Sequence, residues 1–421
     1  MAKKKNPIRP VIVTYRSLAQ AGRMIEEVAA GGQEESLVPV KPGERTRMLA
    51  QVSHAMQTLQ EAESKGGVMI SVQDKAASLL QSHLAREAAK AGQLDPAEAG
   101  GLEAKFDERD LAGWIGSFFT WWQRIRPHKL IAGDETPGTI PNTARLALFA
   151  DWATGMYGAP VIQQSIQNDA RGFQLVMHLG DTYYSGDDDE IAERLLDFFP
   201  RPAGALTRTL NGNHEMYTGG KAYFRKALPA LGQSASYFAL QNDHWLLLGL
   251  DTAHSDHDLA PAQSDWVHRM VANAGDRRVI LFSHHQPISL LERQGPRLQE
   301  KLGDLLDSQR IFAWYWGHEH RLFLHDKHPL WGMHGRCIGH GGFPYFRDNV
   351  VAATATPQFF RLESRNLVPG GEILTGPNPY VEGHESEYGP HGYVALELDG
   401  AGAHEVCHDA DGTVLREQEL V

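Results

Sequence analysis

Cysteine is nearly missing from this chain: Cys337 and Cys407 are the only two in 421 residues, so at most one disulfide can form and a disulfide framework is excluded. No run of about 18 apolar residues occurs, which leaves no candidate for a membrane-spanning helix. Basic residues are not in excess either. With 40 Lys and Arg against 52 Asp and Glu, the formal net charge of −12 gives no general footprint for a polyanion, and long nucleic acids are not expected as partners. The start, "MAKKKNPIRPVIVTY", is basic but lacks the apolar stretch and small-residue cleavage site of a signal peptide. Internal repeats and low-complexity tracts are also missing. These absences together make a cytoplasmic protein the expectation.

What is present is the composition of a folded globular chain, 42% apolar and 22% charged. Residues 1–140 read as an N-terminal helical region. Within it, residues 45–64 place Met48, Leu49, Val52, Met56 and Leu59 at helical spacing, and "DKAASLLQSHLAREAAKAG" continues the pattern. A third segment, "DERDLAGWIGSFFTWWQRIR", carries Leu111, Trp114, Ile115, Phe118, Trp121, Trp122 and Ile125 on one broad apolar face. That face suits docking against a domain, and contact with a membrane surface or a protein partner is the alternative.

Past a Pro/Gly/Thr/Asn-rich linker, residues 141–421 change to strand, loop and helix, the grammar of an α/β domain with a mainly parallel, buried sheet. A loop-rich insertion at 363–390 interrupts it before three closing strands. Nearly every strand stops at a residue able to bind metal: "RLALFAD" at Asp151, "FQLVMHLGD" at Asp181, "TRTLNGN" at Asn213, "RRVILFSHH" at His284 and His285, and "IFAWYWGHEH" at His318 and His320. Any one of these is as well explained by a turn or a helix cap. Five strand ends with the same habit point to a shared metal pocket, because sites in open α/β sheets assemble at the carboxyl ends of strands. The acids of "DDDE", residues 187–190, read instead as a helix start, and "DADG" at 409–412 as a hairpin turn.

The ordered set of Asp151, "GD" at 180–181, "GNHE" at 212–215, "SHH" at 283–285 and "GHEH" at 317–320 resembles the calcineurin-like metallophosphoesterase superfamily. The resemblance implies a β-sandwich flanked by helices and a dinuclear metal centre. It covers about residues 145–345, and the N-terminal 140 residues fall outside it. Most members begin with Asp-x-His, but here the third position of "DWATG" is Ala153. The purple acid phosphatase branch shares that absence and supplies a tyrosine in the pattern Gly-Asp-x-x-Tyr, which "GDTYY" matches with Tyr184.

By this resemblance Asp151, Tyr184 and His320 hold one metal ion, Asn213, His284 and His318 hold the other, and Asp181 bridges them, while Tyr183 packs. Phenolate suits Fe(III) at the Tyr184 position, with Fe, Mn or Zn at the second. The implied reaction is attack of a metal-bound hydroxide on a small phosphorylated substrate, phosphomonoesters first, with His214 as proton donor to the leaving group and Glu215 orienting a neighbour. His285, His340 and Tyr217 are candidate substrate contacts. Phosphodiester hydrolysis on nucleotides or lipid headgroups, or a phosphatase-like scaffold that binds a protein through the N-terminal helices, are the alternatives.

Overall fold

The structure is a computed structural model, and it describes residues 9–14, 42–65, 71–97, 101–106, 108–290, 295–347 and 368–421. The side chains of Met48 and Leu111, and residues 363–367 of the insertion, lie outside them. No helix among the described residues is long and apolar enough to cross a membrane.

Among the described residues of the N-terminal region there are three helices: α1 (Pro42–Glu63), α2 (Lys75–Ala91) and α3 (Glu108–Trp122). Asp74 starts α2 by accepting the Ala77 N–H at 2.8 Å, and Gly92 ends it at φ +68°, a conformation open to a residue without Cβ. Leu79, Leu80 and Leu84 of α2 are buried against Val52 and Leu59 of α1 and Phe118 of α3. The tryptophan-rich face of α3 is therefore spent on packing within the chain, with Trp121 and Trp122 partly covered. The region is not wholly helical. Val11–Ile12, Leu102–Ala104 and Leu94–Pro96 form a small sheet in that order, from segments too short to show an alternating pattern.

Beyond the linker come β1 (Thr143–Phe149), helix α4 (Ala159–Asn168), β2 (Leu175–His178) and β3 (Leu206–Thr209). They are followed by β4 (Phe238–Gln241), β5 (Trp245–Gly249), helix α5 (Pro261–Ala272), β6 (Arg278–Ser283) and β7 (Ile311–Trp316). The last strands are β8 (Leu322–His325), β9 (His334–Ile338), β10 (Gly371–Ile373), β11 (Gly392–Asp399), β12 (Gly402–Asp409) and β13 (Val414–Glu419).

Two large sheets result, the β-sandwich that the resemblance implies, where patterning alone reads one mainly parallel sheet. One runs β10-β8-β9-β7-β6-β5-β4 and ends on Gly138–Thr139, and the other runs β13-β12-β11-β1-β2-β3. In each, central strands are parallel (β5, β6, β7 and β9; β1, β2 and β3) while antiparallel strands complete it. Sequence patterning finds buried strands but does not say that they divide between two layers. The layers share a core in which Leu146, Leu148 and Met177 of one meet Leu247, Ile280, Phe282 and Tyr315 of the other. Helix α5 covers the outer face of the first sheet with Trp266 and Val267, and α4 covers the second with Ile162 and Ile166.

Crossing the shared core, Arg336 Nε lies 2.8 Å from Glu405 Oε1, and Tyr315 donates to Glu405 Oε2 at 2.7 Å. Most of the segment from 374 to 390 has no regular structure, as its glycines and prolines predict, although Gly371–Ile373 just before it adds an edge strand.

Candidate metal centre

Parallel strands aligned in both sheets bring their carboxyl ends to one place. β1, β2 and β3 deliver Asp151, Asp181 and Asn213, and β6 and β7 deliver His284, His318 and His320. The turns that do this are tight. Asp151, Asp181 and His318 have φ of 53°, 74° and 67°, a left-handed region that non-glycine residues occupy at a cost and that concentrates at functional sites. A Cβ on Gly212 would lie 2.2 Å from Asp181 Oδ1, so only glycine lets the "GNH" backbone come this close to the carboxylate.

Two groups of donors share Asp181. Asp151, Asp181 and His320 offer ligand atoms within 4.8 Å of one another, and so do Asp181, His284 and His318. Asn213 joins the second group, its Oδ1 lying 3.0 Å from both His284 Nε2 and His318 Nδ1. The seven expected positions thus converge except at one, and the exception is a correction. Tyr184 does not face the centre: its hydroxyl accepts the Val13 N–H at 3.2 Å. Tyr183, expected to pack, puts its hydroxyl 2.8 Å from His320 Nε2 and donates to Asp151 Oδ1 at 3.1 Å. Motif spacing counts residues along the chain, whereas the backbone here turns the first of two adjacent tyrosines inward.

Asp151 and Asp181 are buried to within 1% of full coverage, and among the described residues neither is ion-paired with a lysine or arginine. Their charged neighbours are histidines. Burial alone would raise Asp181, but His284 and His214 outweigh it and hold the carboxyl well below its usual range. Burial opposes protonation of His284, yet Asp181 at 3.3 Å pushes it up to about 9. His318, by contrast, is held well below the usual histidine range by burial and by His284. Two buried carboxylates, an amide oxygen, a phenol and three imidazoles with this deficit of fixed positive charge fit metal cations, and the mixed O/N set suits Fe, Mn or Zn. His284 Nδ1 meets the Leu179 carbonyl at 3.0 Å, which orients the ring so that Nε2 faces the donors.

His214 is buried, with Nδ1 hydrogen-bonded to the Tyr184 carbonyl and Nε2 3.7 Å from Asp181 Oδ2. Its ring sits between those of Tyr183 and Tyr217, at centroid distances of 4.6 and 4.9 Å. Glu215 orients backbone, not His214: Oε2 accepts the N–H groups of Gly212 at 2.8 Å and Asp181 at 3.2 Å. Burial and Asp181 push its carboxyl up to about 7.

The three expected substrate contacts separate. Tyr217 is half-buried beside the centre and accepts from Asn213 Nδ2 at 2.8 Å. His285 is fully buried, with Nδ1 3.0 Å from Thr252 Oγ1. His340 is fully buried as well. Sequence reasoning missed His257, half-buried and stacked on His285 at 3.7 Å between ring centroids, which offers a ligand atom within 4.8 Å of those of His285 and His318. Its segment, "HSDHD", follows a strand as the other ligands do, and that was the available signal. Phe343, 4.9 Å from the Tyr183 ring and 4.4 Å from that of His320, was likewise unforeseen.

Residues 144–322 match the family described as calcineurin-like phosphoesterase. Among solved structures, purple acid phosphatase PPD1 from yellow lupin (Lupinus luteus) seeds aligns at TM-score 0.46 and 14% identity, covering 68% of this chain and 54% of that one. This chain therefore spans about half the length of the lupin protein. GAP50, the anchor in the inner membrane complex of Plasmodium, aligns at TM-score 0.45 and 12% identity, over 66% of this chain and 88% of that one. Vacuolar Protein Sorting 29 from Cryptosporidium parvum aligns at 0.33 and 13%, over 66% and 97%. No curated protein matches the sequence. The family match takes in the strands and turns that carry Asp151 through His320.

Proposed function

We propose that this chain hydrolyses small phosphate monoesters at a centre of two metal ions, with Tyr183 in the place the sequence motif gives to Tyr184. The match of residues 144–322 to the calcineurin-like phosphoesterase family supports a metal-dependent phosphoric ester hydrolase. The observation that carries the finer reading is the position of Asp181, a member of both donor groups and so placed to face two ions at once. Asp151, Tyr183 and His320 would hold the first, with Fe(III) favoured by the phenol, and Asn213, His284 and His318 the second. When bound, such ions supply Lewis acidity toward phosphoryl oxygens and lower the pKa of a water.

The chain's own residues supply the rest. The Tyr184 carbonyl accepts the Nδ1–H of His214, which fixes the ring and, in the imidazolium form, leaves Nε2–H as the donor to a leaving oxygen. Glu215 holds the Gly212 and Asp181 amides, so the two turns that present Asp181 and Asn213 cannot move independently. The monoester preference rests on the Gly-Asp-x-x-Tyr resemblance.

The deciding experiment compares p-nitrophenyl phosphate with bis-p-nitrophenyl phosphate on metal-reconstituted protein, with Asp181→Asn as the control. A higher kcat/KM for the monoester, lost in the variant, is expected. A diester preference would move the assignment to phosphodiesterase, and equal rates in the variant would place the activity elsewhere.

A further inference from the structure

We infer that the N-terminal region is a positioning element of the metal centre, acting through the loop from Tyr183 to Glu190; this rests on the metal-centre reading above. The loop has two sides. Toward the centre it supplies the Tyr183 hydroxyl to Asp151 and His320 and the Tyr184 carbonyl to His214. Among its other contacts are several to residues outside the family match, in the first 91 positions.

Glu190 is where the two parts close on each other. Its carboxylate is buried and accepts four hydrogen bonds, from the N–H groups of Tyr184 (2.6 Å), Ser185 (2.9 Å) and Asp187 (3.2 Å) and from the hydroxyl of Ser82 on α2 (2.9 Å). Ser82 Oγ also lies 2.7 Å from Ser185 Oγ. One helical turn further on, Arg86 Nη1 pairs with Asp187 Oδ2 at 3.2 Å, with only 20% and 5% of those side chains exposed. A second strap comes from the N-terminal strand. Val13 donates its N–H to Tyr184 Oη while its carbonyl accepts from Gln81 Nε2 at 3.1 Å, and Arg194 spans the Tyr183 and Val11 carbonyls.

These contacts fix the backbone on both sides of Tyr183, so the hydroxyl that meets Asp151 and His320 is aimed by residues that touch neither. Groups that orient a metal ligand from behind typically contribute roughly 10- to 100-fold to affinity. Ser82 and Arg86 are positioning residues by this argument, with no contact to substrate or ion.

The test is Mn(II) binding to the full-length chain by isothermal titration calorimetry, together with kcat on p-nitrophenyl phosphate. Ser82→Ala and Arg86→Ala are each expected to weaken Mn(II) binding roughly 10-fold and lower kcat, and Ser82→Thr, which keeps the hydroxyl, to bind as the unmodified chain does. Leu84→Val, on the same helix but facing the apolar core, should lower the melting temperature without changing affinity. Unchanged affinity in Ser82→Ala and Arg86→Ala, or an equal loss in Leu84→Val, would overturn the inference. Should Ser82→Ala fail to fold, Arg86→Ala, at a part-exposed position, carries the test alone. An unmodified chain that takes up no Mn(II) would remove the metal-centre reading itself, and the inference with it.

Discussion

The hydroxyls of Tyr183 and Tyr184, neighbours in the chain, serve different parts of the molecule: one lies 2.8 Å from His320 Nε2, the other accepts the Val13 N–H at 3.2 Å. Both rings are fully buried, and burial raises both phenols, Tyr184 to about 12. Arg194, over the Tyr184 ring, offsets part of that penalty there, whereas Tyr183 stands among the donors that could hold a metal cation. Iron-loaded protein should therefore show a tyrosinate-to-iron absorption band that Tyr183→Phe abolishes. Tyr184→Phe should keep the band and lose about 1–3 kcal/mol of stability, because the buried Val13 N–H is left without its acceptor. The reverse pattern, with the band lost in Tyr184→Phe, would return the ligand role to the motif position.

That exchange shows where the sequence was legible. Asp151, Asp181, Asn213, His284, His318 and His320 were found because each ends a strand, and the strands are apolar runs that announce themselves. Tyr183 was missed because a spacing pattern fixes sequence position and says nothing of which side of the backbone a residue presents. The division of the strands between two sheets came from the resemblance alone, since a strand buried on both faces reads the same in one layer or two. His257 was overlooked because it stands in the loop after β5, further past Gly249 than the other candidates stand past their strand ends. Contact between α2 and the Tyr183–Glu190 loop joins residues some hundred positions apart through serines and an arginine, types common on any helix surface.

His214 has its Nδ1–H committed to the Tyr184 carbonyl, so a proton for the leaving group must come from Nε2–H of the imidazolium, a form that burial disfavours and the Asp181 carboxylate favours. His214→Ala should cut kcat for alkyl phosphates by roughly 10²- to 10⁴-fold, and far less for p-nitrophenyl phosphate, whose leaving group needs no proton. Metal content should stay as in the unmodified chain. Equal losses on both substrates would remove the donor role, and loss of metal would recast His214 as a ligand.

His83 gives the docking of α2 on α3 a pH dependence. Its Nε2 lies 2.9 Å from the Trp114 carbonyl and 2.8 Å from Ser117 Oγ, and burial, reinforced by Arg86, pushes the ring down to about 4 from the usual 6.5. Between those values the unfolded chain binds a proton that the folded chain refuses. The stability contributed is therefore fully present above pH 6.5 and is lost as pH falls toward 4, by about 2–3 kcal/mol in all. Unfolding followed by the fluorescence of Trp114, Trp121 and Trp122 should show this slope, and His83→Gln should flatten it. An unaltered slope in the variant would assign the effect to other groups.

Arg336 and Glu405 join the two sheets through their shared core, with 3% and 0% of their side chains exposed. Glu405 has further donors in Tyr315 at 2.7 Å and Gln418 Nε2 at 2.8 Å, but Arg336 is the cation that balances it. Burial and the adjacent carboxylate act oppositely on the guanidinium, and the carboxylate prevails. Removing one partner strands the other's charge in a low-dielectric interior, so Arg336→Met should destabilise by about 3–5 kcal/mol, whereas the double variant with Glu405→Gln should recover much of the loss. Denaturant unfolding of the two variants separates a need for the charge pair from a need for the arginine's bulk. If the double variant is no more stable than Arg336→Met alone, packing of the guanidinium stem, not the stranded carboxylate, is what holds the two sheets together here.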